Sequence, residues 1–372
     1  MSAAEVMIVA GEPSGDMHAA AMVHALRARR PELHLVGVGG GRLAAEGLEL
    51  LERAERIAVV GFVEVIKHLP ILRRLMAALK TRMDTGRVKL VVLIDYPGFN
   101  MRVAREAKAR GIPVLYYITP QVWAWHKSRV RALRENVRKA AVILPFEEAL
   151  LRDAGIDATF VGSPLIDATQ DLPTRDDACA ALGLDASRPV LALFPGSRAG
   201  EIGRHLTDFV ATARVIVERR PDVQVIVSAP PSVTIDASVC PYPVVRDASP
   251  MVFRAATAAM CKSGTTTLES AVCGCPLVVA YRTSAVTYAI AKRLVTLPNI
   301  ALVNIVADRR VAPEFIQEAL RADVVAPALL PLLDTTSPQR AQMVEALAEV
   351  RARMGAPGAA VRVAAMVDEL VA

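Results

Sequence analysis

The stretch "VAGEPSGDMHAA", residues 9–20, decides the fold. It follows the apolar run "VMIV" and leads into "HAAAMVHALRARR", an alanine-rich segment stopped by Pro31. An apolar run, a polar turn with two glycines and a helix-forming segment predict a strand, a tight turn and a helix packed back on the strand. Ser14 or Asp16 caps that helix, and Gly11 and Gly15 let backbone approach a ligand closely. The turn falls at the carboxyl end of the first strand, the edge where open α/β sheets bind ligands. It has neither G-x-G-x-x-G nor a Walker lysine, which points away from dinucleotide and P-loop roles. A capped turn without a ligand is the alternative.

Outward from this turn, "LHLVGVGG", "KLVVLIDYP", "IPVLYYITP", "AAVILPF" and "ATFVGSP" alternate with helix-length segments. This is the rhythm of a doubly wound parallel sheet. After a polar, proline-containing stretch the rhythm restarts with "VLALFPGSR", "VQVIVSA", "YPVVRD", "AATAAMCKSG" and "CPLVVAY", so a domain boundary is expected near residues 164–188. The last stretch reads as two helices separated at "GAPG", residues 355–358. There is no tandem repeat.

The bulk composition agrees. The 372 residues suit two domains. With 53% apolar but only 4% aromatic residues, the core is built of Ala, Val and Leu, as in helix-covered parallel sheets. A net charge of +6 suits an anionic partner: nucleic acid, a nucleotide substrate or an acidic lipid surface. The five cysteines form no C-x-x-C pair, so a zinc site or disulfide framework is not expected and a reducing, cytoplasmic setting fits. No export signal or membrane-spanning segment is expected, because every long apolar run is broken by charge or proline.

Four turns carry candidate chemistry. "LIDYPGFN" ends an apolar strand with Asp95 at its tip, either a turn former or a general base able to take a proton from an attacking alcohol. "FPGSRAGEI", residues 194–202, is the matching turn of the second half, where Gly196, Ser197, backbone amides and Arg198 suit a pyrophosphate. "KSGTTTLESA", residues 262–271, sets Ser263, Gly264, Thr265 and Thr266 at a helix start, with Glu269 one turn in to accept from ribose hydroxyls. The first turn, with Glu12, Ser14 and Asp16, is the fourth.

Two segments look able to meet lipid. "VWAWHKSRVRALRENVRKAA" sets Lys127, Arg131, Arg134 and Arg138 along one helical face, either solvated or facing anionic lipid. "GFVEVIKHLPILRRLMAALK" carries a stripe of Leu72, Leu75, Met76 and Leu79, which is either core or an apolar contact surface.

Together with "AGEPSGDMHAA", "GFVEVIKHLP", "TPQVWAWHKSRV", "LPFE", "FVGSPLID", "VVAYR" and "LPNIALV…VAPEFIQ", these motifs resemble, in order, the lipid-A-disaccharide synthase family. The resemblance implies a GT-B fold: two Rossmann-like domains facing across a cleft, residues 1–167 for the acceptor and membrane, 168–335 for the UDP-sugar donor, and helices in 336–372 returning to the first domain or swapping onto a partner subunit in a homodimer.

It further implies inverting transfer of 2,3-diacylglucosamine from UDP-2,3-diacylglucosamine to the 6-hydroxyl of 2,3-diacylglucosamine 1-phosphate, forming a β(1→6) disaccharide and UDP. No cofactor and no metal are implied, UDP-sugar being a substrate, and nucleic acid is not a partner. The work would be done at an anionic phospholipid surface, peripherally on the inner face of the inner membrane.

By the same resemblance Asp95 is the base, while Gly196, Ser197, Arg198 and the Ser263–Thr266 turn hold the diphosphate. Glu269 holds the ribose, and Asn299, Glu314 and Gln317 contribute to the donor. Glu12, Ser14, Gly15, Asp16 and His18 bind the acceptor. Val63, Ile66, Leu69, Leu72, Arg131 and Arg134 meet acyl chains or membrane. Gly98 departs from the family, which often has an acidic residue there, and that weakens any mechanism needing a second carboxylate. Rival readings are a UDP-sugar 2-epimerase on the same fold and a non-catalytic, membrane-associated UDP-sugar-binding protein.

Overall fold

The computed structural model describes residues 4–57, 62–122, 127–285, 287–288 and 298–371, and the side chains of 62–68 and 127–128 lie outside that description. Its strands are β1 (Glu5–Ala10), β2 (His34–Gly39), β3 (Glu49–Arg53), β4 (Val88–Ile94), β5 (Val114–Tyr117), β6 (Lys139–Val142), β7 (Ala158–Phe160), β8 (Val190–Phe194), β9 (Gln224–Ala229), β10 (Val244–Arg246), β11 (Ala258–Lys262), β12 (Leu277–Tyr281) and β13 (Glu314–Ile316). The helices in the first half are α1 (Pro13–Arg29), α2 (Gly41–Ala45), α3 (Phe62–Asp84), α4 (Pro97–Ala109), α5 (Lys127–Asn136), α6 (Pro145–Asp153) and α7 (Pro164–Ala168). They are followed by α8 (Arg175–Ala181), α9 (Ala199–Arg219), α10 (Ser249–Ala255), α11 (Thr266–Val272), α12 (Leu302–Ala307), α13 (Ala322–Leu329), α14 (Pro338–Arg353) and α15 (Ala359–Val371).

The chain forms two units, Met1–Pro164 with Gly355–Ala372, and Leu165–Met354. The first holds a seven-stranded sheet ordered β3-β2-β1-β4-β5-β6-β7, the second a six-stranded sheet ordered β10-β9-β8-β11-β12-β13. Every pairing is parallel. Both therefore have the doubly wound order in which the chain reverses direction across the sheet, between β1 and β4 and again between β8 and β11.

Strand β1 shows why the sheet is covered on both faces. Val6, Met7, Ile8, Val9 and Ala10 are all fully buried, and because side chains alternate along a strand they divide between two cores. Met7 and Val9 join Leu75, Leu79, Phe99 and Leu133 on one face. Val6, Ile8 and Ala10 join Met22, Leu26, Val363 and Val367 on the other.

Three expectations change. Helix α1 begins at Pro13, earlier than a Ser14 or Asp16 cap predicts, and its N-cap Glu12 makes no side-chain cap bond. Proline suits this first position, since it lacks an N–H and its φ is already helical. Strands β3 and β13 were not anticipated; both are edge strands, which need less apolar sequence than central ones. Finally, residues 336–372 do not pack as one block. Helix α14 lies on α11 and α12 of the second unit, whereas α15 lies on α1, and Asp368 bonds Arg29 and Arg30 at 3.0 and 2.9 Å. Gly355 (φ +87°) and Gly358 (φ +94°) make the crossing between them, in a backbone region that other residues rarely adopt.

Candidate active site

At the switch point of the first sheet the turns after β1 and β4 leave side by side. Asp95 and Tyr96 both have φ of +47°. Such left-handed conformations cost a non-glycine residue roughly 1–3 kcal/mol each, so something must hold them. Asn100, fully buried, donates from Nδ2 to the carbonyls of Val9, Ile94 and Asp95 at 3.3, 3.1 and 2.8 Å. The Tyr116 hydroxyl donates to the Asp95 carbonyl at 2.8 Å, and the Asp95 amide to the Tyr117 carbonyl at 3.1 Å. Tyr96 donates to the Ile57 carbonyl at 3.0 Å. Its ring lies so close to Gly11 that a Cβ there would meet Tyr96 Cδ1 at 2.4 Å. The first glycine of the opening turn is thus explained by a tyrosine 85 residues later.

Asp95 is half-buried at the strand tip. Burial, then the negative charge of Asp95, push the Tyr116 hydroxyl well above its usual range, so it remains a protonated donor to the Asp95 backbone. His18 stands edge-on to Tyr117, with ring centroids 6.4 Å apart, and burial lowers its pKa to about 4, leaving the imidazole neutral near pH 7. A further left-handed residue, Ile118 (φ +59°), follows β5. Backbone strain of the first unit therefore collects at the carboxyl edge, where ligands of this sheet type bind.

The candidate acceptor residues part company here. Glu12 is half-buried and Ser14 exposed at the start of α1, and Gly15 is buried where a Cβ would meet Ala10 and Ile94 at ordinary contact distance. Asp16 does not face outward. Its carboxylate accepts the amides of Gly40, Arg42 and Leu43 at 2.6, 3.1 and 3.2 Å, capping α2, where an anion complements the helix dipole.

In the second unit the turns after β8 and β11 meet in the same way. Gly196 has φ of +148°, and a Cβ there would lie 2.6 Å from Glu201 Cβ. Arg198 is the N-cap residue of α9, its side chain 54% exposed. A cavity of about 280 Å³ beside the turn is lined by Phe194, Gly196, Ser228, Asp247, Ser249 and Glu269, among others. Burial raises the Glu269 carboxyl to about 7, against which a bond to Ser249 acts only partly. Thr265 is exposed and Thr266 half-buried at the start of α11.

Four other donor candidates are occupied internally. Ser263 Oγ donates to the Ile300 carbonyl at 3.0 Å. Asn299 Oδ1 accepts from Arg310 at 3.3 Å. Glu314 accepts the amides of Ile300 and Ala301 and the Asn304 side chain, fixing the start of α12. Gln317 clasps the Thr283 backbone, accepting at 2.7 Å and donating at 3.2 Å. These four hold the walls of the site.

Of the lipid-facing candidates, Val63 and Ile66 lie outside the described side chains. Leu69 is half-buried, and Leu72 packs against the core. Arg131 and Arg134 are exposed on α5, Arg131 bonding Glu135 at 2.7 Å. Among the described residues no helix is long and apolar enough to cross a membrane.

Sequence reasoning missed Asn100, Tyr116, Glu201 and Lys262. All four stand inside quoted stretches, Asn100 at the end of "LIDYPGFN", Glu201 three residues after Arg198 and Lys262 at the head of "KSGTTTLESA", so residue type beside a ligand-edge turn was the signal available.

Two doubly wound parallel sheets, each with turns gathered at its switch point, define a protein of the GT-B fold class. The solved Neisseria meningitidis UDP-GlcNAc 2-epimerase bound to UDP-GlcNAc matches with a TM-score of 0.67 at 10% identity, over 98% of this chain and 100% of that one. CalG4, the calicheamicin glycosyltransferase, matches at 0.60 and 16% identity, over 100% and 99%. Likeness at such identities concerns the fold alone. Sequence is more specific: a family model described as Lipid-A-disaccharide synthetase matches residues 6–355. The lipid-A-disaccharide synthase of Syntrophus aciditrophicus is 42% identical over 381 residues, covering 100% of this chain and 99% of the relative. That of Myxococcus xanthus is 40% identical over 377 residues, covering 98% and 97%. The chain belongs to the lipid-A-disaccharide synthase family, which are glycosyltransferases.

Proposed function

We propose that the chain transfers 2,3-diacylglucosamine from UDP to the 6-hydroxyl of 2,3-diacylglucosamine 1-phosphate in one inverting displacement. The acceptor oxygen forms the β(1→6) bond to the anomeric carbon while that carbon's bond to the UDP oxygen breaks. The hydroxyl proton goes to the Asp95 carboxylate, and UDP leaves with the bonding electrons. The observation that carries this reading is Asp95 itself, a carboxylate at the carboxyl edge of the sheet, held in a costly backbone conformation by Asn100 and Tyr116. Such a hold fixes the position of the carboxylate, which a general base needs.

Arg198 and the amides of the Gly196 turn offset the charge growing on the leaving diphosphate, so neither cofactor nor metal is required. Glu269 accepts from the ribose hydroxyls, and Glu12, Ser14 and neutral His18 contact the acceptor sugar phosphate. The exposed arginines of α5 meet anionic phospholipid, setting the enzyme peripherally on the cytoplasmic face of the inner membrane.

The test is disaccharide formation from the two acylated substrates in detergent and EDTA, read by mass spectrometry, for wild type and Asp95→Asn. Wild-type product with a loss of about 10²–10⁴ in the variant, and unchanged UDP affinity, is expected. Equal rates would remove Asp95 as base, and loss of wild-type activity in EDTA would remove the metal-free mechanism.

A further inference from the structure

Glu201 occupies an unusual place. It is the third residue of α9, yet its carboxylate turns back over the Gly196 turn that precedes the helix. Oε2 accepts the Ser197 amide at 3.0 Å and the Ser197 hydroxyl at 3.4 Å. Oε1 lies 2.9 Å from Lys262 Nζ and 3.9 Å from Arg198 Nη1. A backbone amide at a glycine turn, a hydroxyl and two cations are the donors that hold a phosphate. Here they hold a carboxylate.

Lys262 is as well placed. It ends β11, across the switch point from β8, and its ammonium lies 3.6 Å from where a Cβ on Gly264 would stand and 5.9 Å from the centroid of the Tyr281 ring. Its charge therefore sits between the two glycine turns. Counting Arg198 and Lys262 against Glu201, the cluster carries +1 with its own carboxylate in place and would present +2 to an incoming anion that displaced it. Burial pushes the Glu201 carboxyl upward, but Lys262, the Ser197 amide and Arg198 outweigh it and leave it below its usual range, so it is ionised and a true competitor at neutral pH. His205 holds the helix start in place, with Nδ1 2.7 Å from the Glu201 carbonyl and Nε2 accepting the Arg282 amide at 2.9 Å.

We infer that Glu201 is an internal competitor for the donor's diphosphate, and that Lys262, released from it, is a ligand of that diphosphate. The inference rests on the second unit being the UDP-sugar site. Donor entry exchanges one carboxylate for a more highly charged phosphate on the same donors, and departure of UDP returns Lys262 and the Ser197 amide to Glu201. The carboxylate thereby weakens product binding and hastens its release.

The experiment is calorimetric titration of the full-length protein with UDP and with UMP, for wild type, Glu201→Gln and Lys262→Met, with circular dichroism confirming the fold of each. Glu201→Gln is expected to bind UDP about threefold to tenfold more tightly, because a neutral amide competes less for cations. Lys262→Met is expected to bind UDP at least about tenfold more weakly, or about 1.4 kcal/mol, while its UMP affinity stays within about twofold of wild type. Weaker or unchanged UDP binding in Glu201→Gln would mean a purely structural ion pair and overturn the inference, as would unchanged UDP binding in Lys262→Met. If wild type bound neither nucleotide, the donor-site reading itself would fail. A misfolded Lys262→Met leaves the Glu201→Gln arm to decide.

Discussion

Glu269 offers a perturbation in which stability and function move in opposite directions. Burial raises its carboxyl from the ordinary 4.5 to about 7. A folded-state pKa above the unfolded one means that the native state holds the proton more tightly. The associated stability is complete below about pH 4.5 and is lost as pH rises through about 7. That rise corresponds to at most about 3 kcal/mol, and side-chain relaxation and water reaching the cavity reduce it to roughly 1–3 kcal/mol. Glutamine has the shape of the protonated acid and never ionises. Glu269→Gln should therefore match wild type at pH 4.5 and exceed it by roughly 1–3 kcal/mol at pH 8.5, in urea unfolding followed by circular dichroism. The same variant should bind UDP more weakly, because the charge-assisted bonds of an ionised carboxylate to the ribose are worth about 1.5–3 kcal/mol. A variant that follows the wild-type pH profile, or is less stable at pH 8.5, would refute the reasoning from burial. Unchanged UDP affinity would refute the role at the ribose.

Three further outcomes test the first unit. Asn100→Ala should cost about 1–3 kcal/mol through the loss of its bonds to the Val9, Ile94 and Asp95 carbonyls, and lower turnover at least about tenfold with UDP affinity unchanged; turnover like that of wild type would show that Asp95 needs no such hold. Gly11→Ala should destabilise by about 1–3 kcal/mol because its methyl overlaps the Tyr96 ring, with a smaller cost in the Tyr96→Ala background, and equal costs in both would exclude that overlap. For His18 the folded pKa is depressed from 6.5 to about 4, so wild type loses stability as pH falls through that window. His18→Gln, which cannot charge, should show a flatter stability profile from pH 6.5 to 4, and parallel profiles would show that His18 is hydrated.

Much of the architecture was legible in advance because it rests on local patterns. Apolar runs bounded by turn residues marked eleven of the thirteen strands, and "GAPG" marked the break between α14 and α15. Strands β3 and β13 were missed for the same reason: "ELLER" and "EFI" lie at sheet edges, where half-buried, charged sequence suffices and no apolar run announces the strand. The split of the C-terminal helices was illegible too, since nothing in either sequence names the element it packs on, and α14 lies on α11 and α12 whereas α15 lies on α1.

The candidate site divides along the same line. Sequence alone placed Asp95, Arg198, Thr266 and Glu269 in the turns and first helical turns that follow strands, and the carboxyl edge of a parallel sheet collects all such positions. Which polar side chains remain available there was decided by tertiary structure. Asp16 is claimed by amides 24 to 27 residues away, Gln317 by Thr283, Glu314 by the start of α12, and Glu201 by Lys262, 61 residues on. Strand pairing brings these partners within hydrogen-bond reach, and a buried polar group must then be satisfied by whatever arrives beside it. A motif marks where such side chains gather; only the assembled sheet determines which of them face a ligand and which hold the walls.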